Sequence, residues 1–527
     1  MQTLRLLLIF IFITQAAYAE VIEADVVVYG GNACGVAAVC TATRLGKSAV
    51  IAEPGRHIGG LTSGGLGWTD IGNKAAIGGF SRNFYKRLGV HYGKPEAWTF
   101  EPSVAERELR ALLAEAKVRA VFAQRLASVK KDGARITEIT MTDGTTYRGR
   151  MFVDATYEGD LMSRAGVSYM VGRESNERFN ETLNGVRGNT PSHQFVVPTD
   201  PYIKQGDPKS GLLPFISEEP MGTPGAGDKS VQAYNFRLCL TKKPENRKPI
   251  EPPPGYDAKR YELLGRYCEA LVAAGKKPTP RMFLKIDMVT PEKTDINNNG
   301  AFSTDYIGMN HNYPDADYET RDKIWREHLH YIAGLFTFLT TDPRVPEDIR
   351  RDIAEWGLCK DEFIDTGGWP HAMYVREARR MLSDFVMTER VCRQLERPGD
   401  SVGLGAYNMD SHNCRRIVRN GFVENEGDVQ VRVKPYPVSY RSIVPKAAEC
   451  ENLFVPVCLS ATHIAYGSIR MEPVFMIMGQ SAATAACIAI DDKVPVQRVD
   501  YPRLREQLLK DGQVLEWHAD NRKESSR

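Results

Sequence analysis

The sequence predicts a mixed α/β fold whose parallel-sheet core is interrupted by a long insertion and completed near the C-terminus. Three observations predict it. Residues 24–29 (ADVVVY) form a continuous, mostly β-branched run, as in a parallel strand buried on both faces. A glycine-bearing loop, an alanine-rich helical stretch and a second apolar strand follow at once. Between residues 191 and 439 the texture shifts to Pro, Asn, Tyr and Trp, and the α/β pattern resumes only after residue 440.

The N-terminus stands apart from all of this. Arg5 supplies a positive start, residues 6–13 are an unbroken apolar run, and Ala17-Tyr18-Ala19 is a small-residue cleavage site. That is the pattern of a secretory signal peptide over residues 1–19. The protein is therefore expected to be exported, periplasmic or secreted, with no membrane span once processed. No twin-arginine pair precedes the apolar run. Export is then expected to proceed as an unfolded chain, with any non-covalent cofactor loaded afterwards.

Charge and cysteine usage exclude several classes. The 527 residues carry 68 basic and 66 acidic side chains, a net charge of +2. Nucleic-acid binding calls for a clustered basic excess, so no nucleic-acid partner is expected. The ten cysteines contain no C-x-x-C pair, so zinc ribbons and ferredoxin-type clusters lack their ligand spacing, and no metal is expected. Export permits disulfides, but scattered cysteines do not specify a pairing.

At the mature N-terminus, Gly30-Gly31-Asn32-Ala33-Cys34-Gly35 links the first strand to a helix over 36–45. Residues 47–52 are a second strand, ending in Glu53. This is the spacing of a dinucleotide site. The first glycine makes a tight turn, Gly35 lets the helix pack close to the strand, and the free amides of the helix N-terminus face a pyrophosphate. Glu53 would accept from the ribose hydroxyls. Asn32 departs from the pattern, since it occupies the middle glycine position. The segment after Glu53, PGRHIGGLTSGGLG, is glycine-dense yet interleaved with Ile58, Leu61 and Leu66. It suits a long cofactor lying extended against the backbone. A helix over 106–116, a strand over 118–122 and a meander over 127–129, 135–141 and 146–152 follow, with Asp143-Gly144 as the last hairpin turn.

Three stretches then resemble a known family. Residues 53–70 (EPGRHIGGLTSGGLGWTD), 153–161 (VDATYEGDL) and 452–486 resemble the FAD-dependent oxidoreductase family that includes the flavoprotein subunit of heterodisulfide reductase and many exported bacterial proteins. The resemblance implies a Rossmann-like FAD-binding domain of the glutathione-reductase type, discontinuous, with an inserted α+β substrate domain. The boundaries expected are 20–190 and 440–495 for the FAD-binding parts, 191–439 for the insertion and 496–527 for a C-terminal tail. FAD is the cofactor implied, with Gly30, Gly31, Asn32, Gly35, Glu53, Arg56, Gly59, Gly60, Asp154 and Ala155 at its site. The heterodisulfide relatives also carry cysteine clusters, and this chain lacks that spacing.

The insertion is read as helical over 323–339 and over 369–384, the second helix carrying Arg376, Arg379 and Arg380. Residues 295–300 (DINNNG) copy the opening of a calcium loop but offer Tyr306 where the bidentate glutamate belongs, so they are read as a turn. Flavin oxidation of a C–H bond needs a base and positive potential near the pyrimidine end of the ring. Arg470, at the start of a helix over 471–490, is the candidate for the second, and His463, His371 and His412 are the candidates for the first. Tyr234, Asn235 and Arg237 are candidates to line the substrate side.

The activity expected is hydride transfer from a small polar substrate, such as a carbohydrate derivative, to flavin N5, with an unknown electron acceptor. A flavin-containing lyase or isomerase with no net redox is one alternative. A non-catalytic glycan-binding protein on the same fold is another.

Overall fold

The structure is a computed structural model that describes residues 20–518. The proposed signal peptide lies outside the described residues. The chain opens with strand β1 (Val21–Tyr29), helix α1 (Ala33–Arg44) and strand β2 (Ala49–Ala52). Strands β3 (Arg119–Val121), β4 (Leu126–Asp132), β5 (Arg135–Met141) and β6 (Thr146–Asp154) complete the N-terminal part. They form one sheet in the order β3-β2-β1-β6-β5-β4. β1 runs parallel to both β2 and β6, pairing Tyr29 with Ala52 and with Asp154. β6 is shared along its length. Its first half pairs antiparallel with β5, and its end pairs parallel with β7 (Leu453–Phe454), more than 290 residues later by number.

The alternation along β1 explains its composition. Val26 and Val28 point into one core cluster, and Val27 and Tyr29 into another on the opposite face. Both faces are covered, so a continuous apolar run is what such a strand requires. The first cluster is closed by helix α4 (Glu472–Asp492), which lies along α1. A Cβ on Gly479 would sit 2.2 Å from the Cys34 carbonyl oxygen, so glycine there sets how closely the two helices approach. Among the described residues, α4 is the one helix long and apolar enough to cross a membrane, and its apolar window is wholly buried in the protein. The C-terminal helix Tyr501–Lys510 also packs onto the core, through buried Leu504 and Leu508.

The region between the sheet segments has its own aromatic core. Helix α2 (Tyr318–Thr341) starts at Asp317, whose side chain accepts from the Thr320 amide at 2.8 Å. Its Tyr331 stacks on Tyr306 at 4.2 Å between centroids. Two sequence expectations fail here. Residues 369–384 are not a helix; they run extended, bridged to Asn235 at Tyr374 and to Met170 at Arg380. Residues 295–298 are not a turn but part of a strand, Thr294–Asn298, paired antiparallel with Leu284–Met288. In both cases charged side chains are consumed by buried partners on distant elements. Arg376 pairs with Asp305, Arg379 with Asp160, Arg380 with Glu174, and Asp295 with Arg237. A charge pattern that reads as a solvated face or turn is here a set of interior ion pairs.

Candidate active site

The carboxyl ends of β1, β2 and β6 bring three loops together, the place where an open parallel sheet offers a binding crevice. A cleft of about 380 Å³ opens there. Gly30, Asn32, Glu53, Arg56, Gly60 and Ala155 line it. The other cofactor candidates support this wall from behind. The Gly31 amide donates to Glu53 Oε2 at 2.5 Å and the Gly59 amide to the Gly31 carbonyl at 2.8 Å. A Cβ on Gly35 would lie 2.0 Å from the Gly30 carbonyl oxygen, so the loop and the first turn of α1 can be this close only with glycine there. Asp154 accepts from the amides of Thr156 at 3.0 Å and Met162 at 2.8 Å, and so fixes the turn that carries Ala155. Burial pushes the Asp154 carboxyl up to about 6.

Asn32 occupies its unusual position for a definable reason. It is the N-cap of α1: its Oδ1 accepts from the Gly35 amide at 3.0 Å and its Nδ2 donates to the Ala155 carbonyl. One side chain thereby caps the helix and ties the first loop to the third. Glu53 also holds the Gly55 amide at 2.5 Å, and burial pushes its carboxyl up to about 7. Each of its oxygens keeps a lone pair free for a ribose hydroxyl.

These residues fit FAD. Backbone amides at the start of α1 would meet its phosphates, and Glu53, just after β2, would accept from its ribose hydroxyls. His371 lines the same cleft, and neither of its ring nitrogens has a protein partner. Burial lowers its pKa to about 4, so it stays neutral. It stacks on His57 at 3.9 Å between centroids. Donor atoms of His57, Glu106 and His371 lie within 4.8 Å of one another. Stacked rings hold their in-plane lone pairs in separate, nearly parallel planes, however, which does not suit one shared ion.

Further in, Tyr374 is the centre of a buried polar cluster. The guanidinium groups of Arg376, Arg470 and Arg237 lie 4.7, 5.6 and 5.8 Å from its ring. Arg470 donates to the Tyr374 hydroxyl at 2.7 Å and pairs with Asp410 at 3.1 Å, rather than with Glu472 beside it in sequence. Arg376 pairs with Asp305 at 2.9 Å, and Asp305 in turn accepts at 2.9 Å from Nδ1 of His412. His412 Nε2 lies 3.5 Å from Asp410, too far for a hydrogen bond. Burial and Arg376 oppose the charged imidazole, but Asp305 and Asp410 outweigh them and raise its pKa. Glu472 heads α4 and accepts from Thr62 at 2.7 Å and Tyr157 at 2.6 Å. Burial pushes it up to about 7.

The three candidate histidines occupy three different places. His371 is in the cleft and His412 in the Tyr374 cluster. His463 is 2% exposed and fully engaged: Nδ1 meets Glu377 at 2.8 Å and Nε2 meets Ser411 Oγ at 2.9 Å. Burial opposes ionisation of Glu377, yet His463 and Arg380 hold its carboxyl down at about 2. The serine–histidine–carboxylate series has the order of a hydrolase triad, but it is closed inside the protein. It ties the strand Met409–Ser411, just before His412, to the start of the short helix α3 (His463–Ile469). Of the lining candidates, Arg237 is in the cluster, while Tyr234 donates to the Glu377 carbonyl and Asn235 binds Thr304 and Asn297. Sequence reading missed Asp305, Asp410, Tyr374, Tyr157 and Glu472. Only Tyr157 and Glu472 fall within the motifs that carried the resemblance.

The sequence matches the family described as FAD dependent oxidoreductase over residues 25–508. No curated protein matches it significantly. Among solved structures it is similar to 3-ketosteroid-delta4-(5alpha)-dehydrogenase from Rhodococcus jostii RHA1, at 18% identity over 29% of this chain and 50% of that one, with a TM-score of 0.20. It is also similar to L-proline dehydrogenase from P. horikoshii, at 16% identity over 30% of this chain and 59% of that one, with a TM-score of 0.25. A flavin monooxygenase from Stenotrophomonas maltophilia matches at 18% identity over 32% and 44%, with a TM-score of 0.19. The chain thus spans about half the length of the solved structures it matches.

Proposed function

The chain belongs to the FAD dependent oxidoreductase family, with FAD as its cofactor, and from that premise we propose that it oxidises a C–H bond of a small polyhydroxylated substrate, a carbohydrate derivative. Bound FAD supplies the two-electron acceptor. The observation that carries the substrate class is the set of buried polar atoms, some beside Tyr374 and the others around His412 and Gln232, that no protein group satisfies. They are Arg376 Nε, Arg470 Nε, Gln232 Nε2, Asn310 Oδ1, Asn413 Oδ1 and both oxygens of Asp428. Donors and acceptors left in such density inside a protein call for a ligand rich in hydroxyls, or for water that such a ligand displaces.

In this reading Asp305 fixes the His412 tautomer through Nδ1, and Nε2 is the atom that takes the hydroxyl proton. Arg470 and the N-terminus of α4 provide positive potential behind Tyr157, Met373 and Val375, which line the cleft. The fold is read as a discontinuous FAD-binding domain, residues 20–190 and 440–495, with residues 191–439 inserted as the substrate domain. Residues 1–19 direct export, and an electron acceptor outside the cytoplasm re-oxidises the enzyme.

Anaerobic titration of the flavin-loaded protein with a panel of sugars, sugar acids and polyols tests the proposal. One class should bleach the oxidised-flavin bands, and His412→Asn should slow that bleaching by about a hundredfold or more, in the range a general base contributes. A protein that holds FAD and is bleached by none of the panel would refute the substrate class. A protein that cannot be loaded with FAD would leave the glycan-binding reading in its place.

A further inference from the structure

One cysteine pair outside the cleft is positioned for a covalent link. Cys239 and Cys359 have their sulfurs 3.8 Å apart and are 1% and 0% exposed. They sit on neighbouring antiparallel strands, where Thr241 pairs with Gly357 and Leu240 with Leu358. The next step of that register places Cys239 directly opposite Cys359. Directly opposed residues of an antiparallel pair have Cα atoms about 4.5–5.5 Å apart, inside the range a disulfide spans. Phe363 completes their small apolar cluster. Cys40, Cys414 and Cys458 instead donate to backbone carbonyls.

We propose that Cys239 and Cys359 form a disulfide that staples the segment running from Arg237 into the strand Leu240–Thr241 to the strand Gly357–Cys359. The oxidant is a small-molecule or protein disulfide met during folding. One cysteine thiolate attacks it, releasing one thiol and forming a mixed disulfide. The second cysteine then displaces the other thiol. Two protein thiols lose two electrons and two protons, and one external disulfide becomes two thiols. In the finished fold the Cys239 thiol is pushed up by its hydrogen bond to Cys359 and by burial. Exchange therefore belongs to the folding stage, before the pair is covered. The link does not depend on the substrate class proposed above.

The test is to refold the full chain with oxidised glutathione, denature it without reductant, alkylate, and map the labels. Ten cysteines less the pair leaves eight to be labelled, with a 239–359 cross-linked peptide that disappears on reduction. Label on all ten, or a cross-link between other cysteines, overturns the proposal. As a second readout, reductant should lower the unfolding midpoint of the wild type and leave that of Cys239→Ala unchanged. An equal drop in both, or none in either, also counts against the link.

Discussion

At the nucleotide end of the cleft, Gly30, Asn32, Gly35 and Glu53 come from one β-loop-α-β unit, and their contacts are largely to backbone amides and carbonyls. In the separate buried cluster around Tyr374, Asp305, Tyr374, Arg376, Asp410, His412 and Arg470 come from distant parts of the chain and contact one another through charged side chains. The first region is a local shape that a short segment adopts by itself. The second exists only when distant segments are packed together, and each of its charges depends on another for its place in the interior. A lesion in the first region should therefore act through sterics, and one in the second through unpaired charge.

The largest effect expected is in the Tyr374 cluster. Arg376→Ala leaves Asp305 with His412 alone as its charged partner in a buried site and should cost about 3 kcal/mol or more, read as a lower midpoint in denaturant. A loss below about 1 kcal/mol would mean that water reaches the cluster, which would erase the contrast between the two regions. Gly35→Ala should cost about 3 kcal/mol, because its new Cβ overlaps the Gly30 carbonyl oxygen. It should also deplete bound flavin in the purified protein. Full flavin occupancy in that variant would show that the nucleotide loop is more compliant than its packing implies.

The third test concerns pH and separates burial from pairing. Burial has raised Glu472 to about 7, above its value of about 4.3 in an unfolded chain. The folded protein then binds the extra proton in that interval. The Glu472 contribution to stability is complete below about pH 4 and is lost as pH rises through about 7. Glu472→Gln should remove that slope, so that flavin-free wild type falls behind the variant by on the order of 2 kcal/mol between pH 5 and 8. Parallel stability curves across this range would assign Glu472 to a hydrated environment.

How much was legible follows from the same contrast. The strand over 24–29, the glycine loop, Glu53 and the meander could be read because each is specified by neighbours in sequence and by a period of two or a fixed turn chemistry. Asn32 was legible as a departure, but its double role needed the position of Ala155, which follows the end of β6. The extended segment 369–384 was misread as a helix because Arg376, Arg379 and Arg380 are spaced like one polar face. Nothing local reveals that Asp305, Asp160 and Glu174 wait for them in the interior.

By itself, then, the sequence determined the family, the cofactor class and the first β-loop-α-β unit, since these rest on short-range geometry that glycines, a capping side chain and β-branched runs impose wherever they occur. The tertiary structure decided which histidine meets which carboxylate. It withdrew His463 into a closed network, left both nitrogens of His371 free in the cleft, and set His412 between Asp305 and Asp410. It also set Cys239 opposite Cys359. The physical reason is that a buried charge or thiol takes its properties from what packs against it, and those neighbours are chosen by chain topology rather than by adjacent residues.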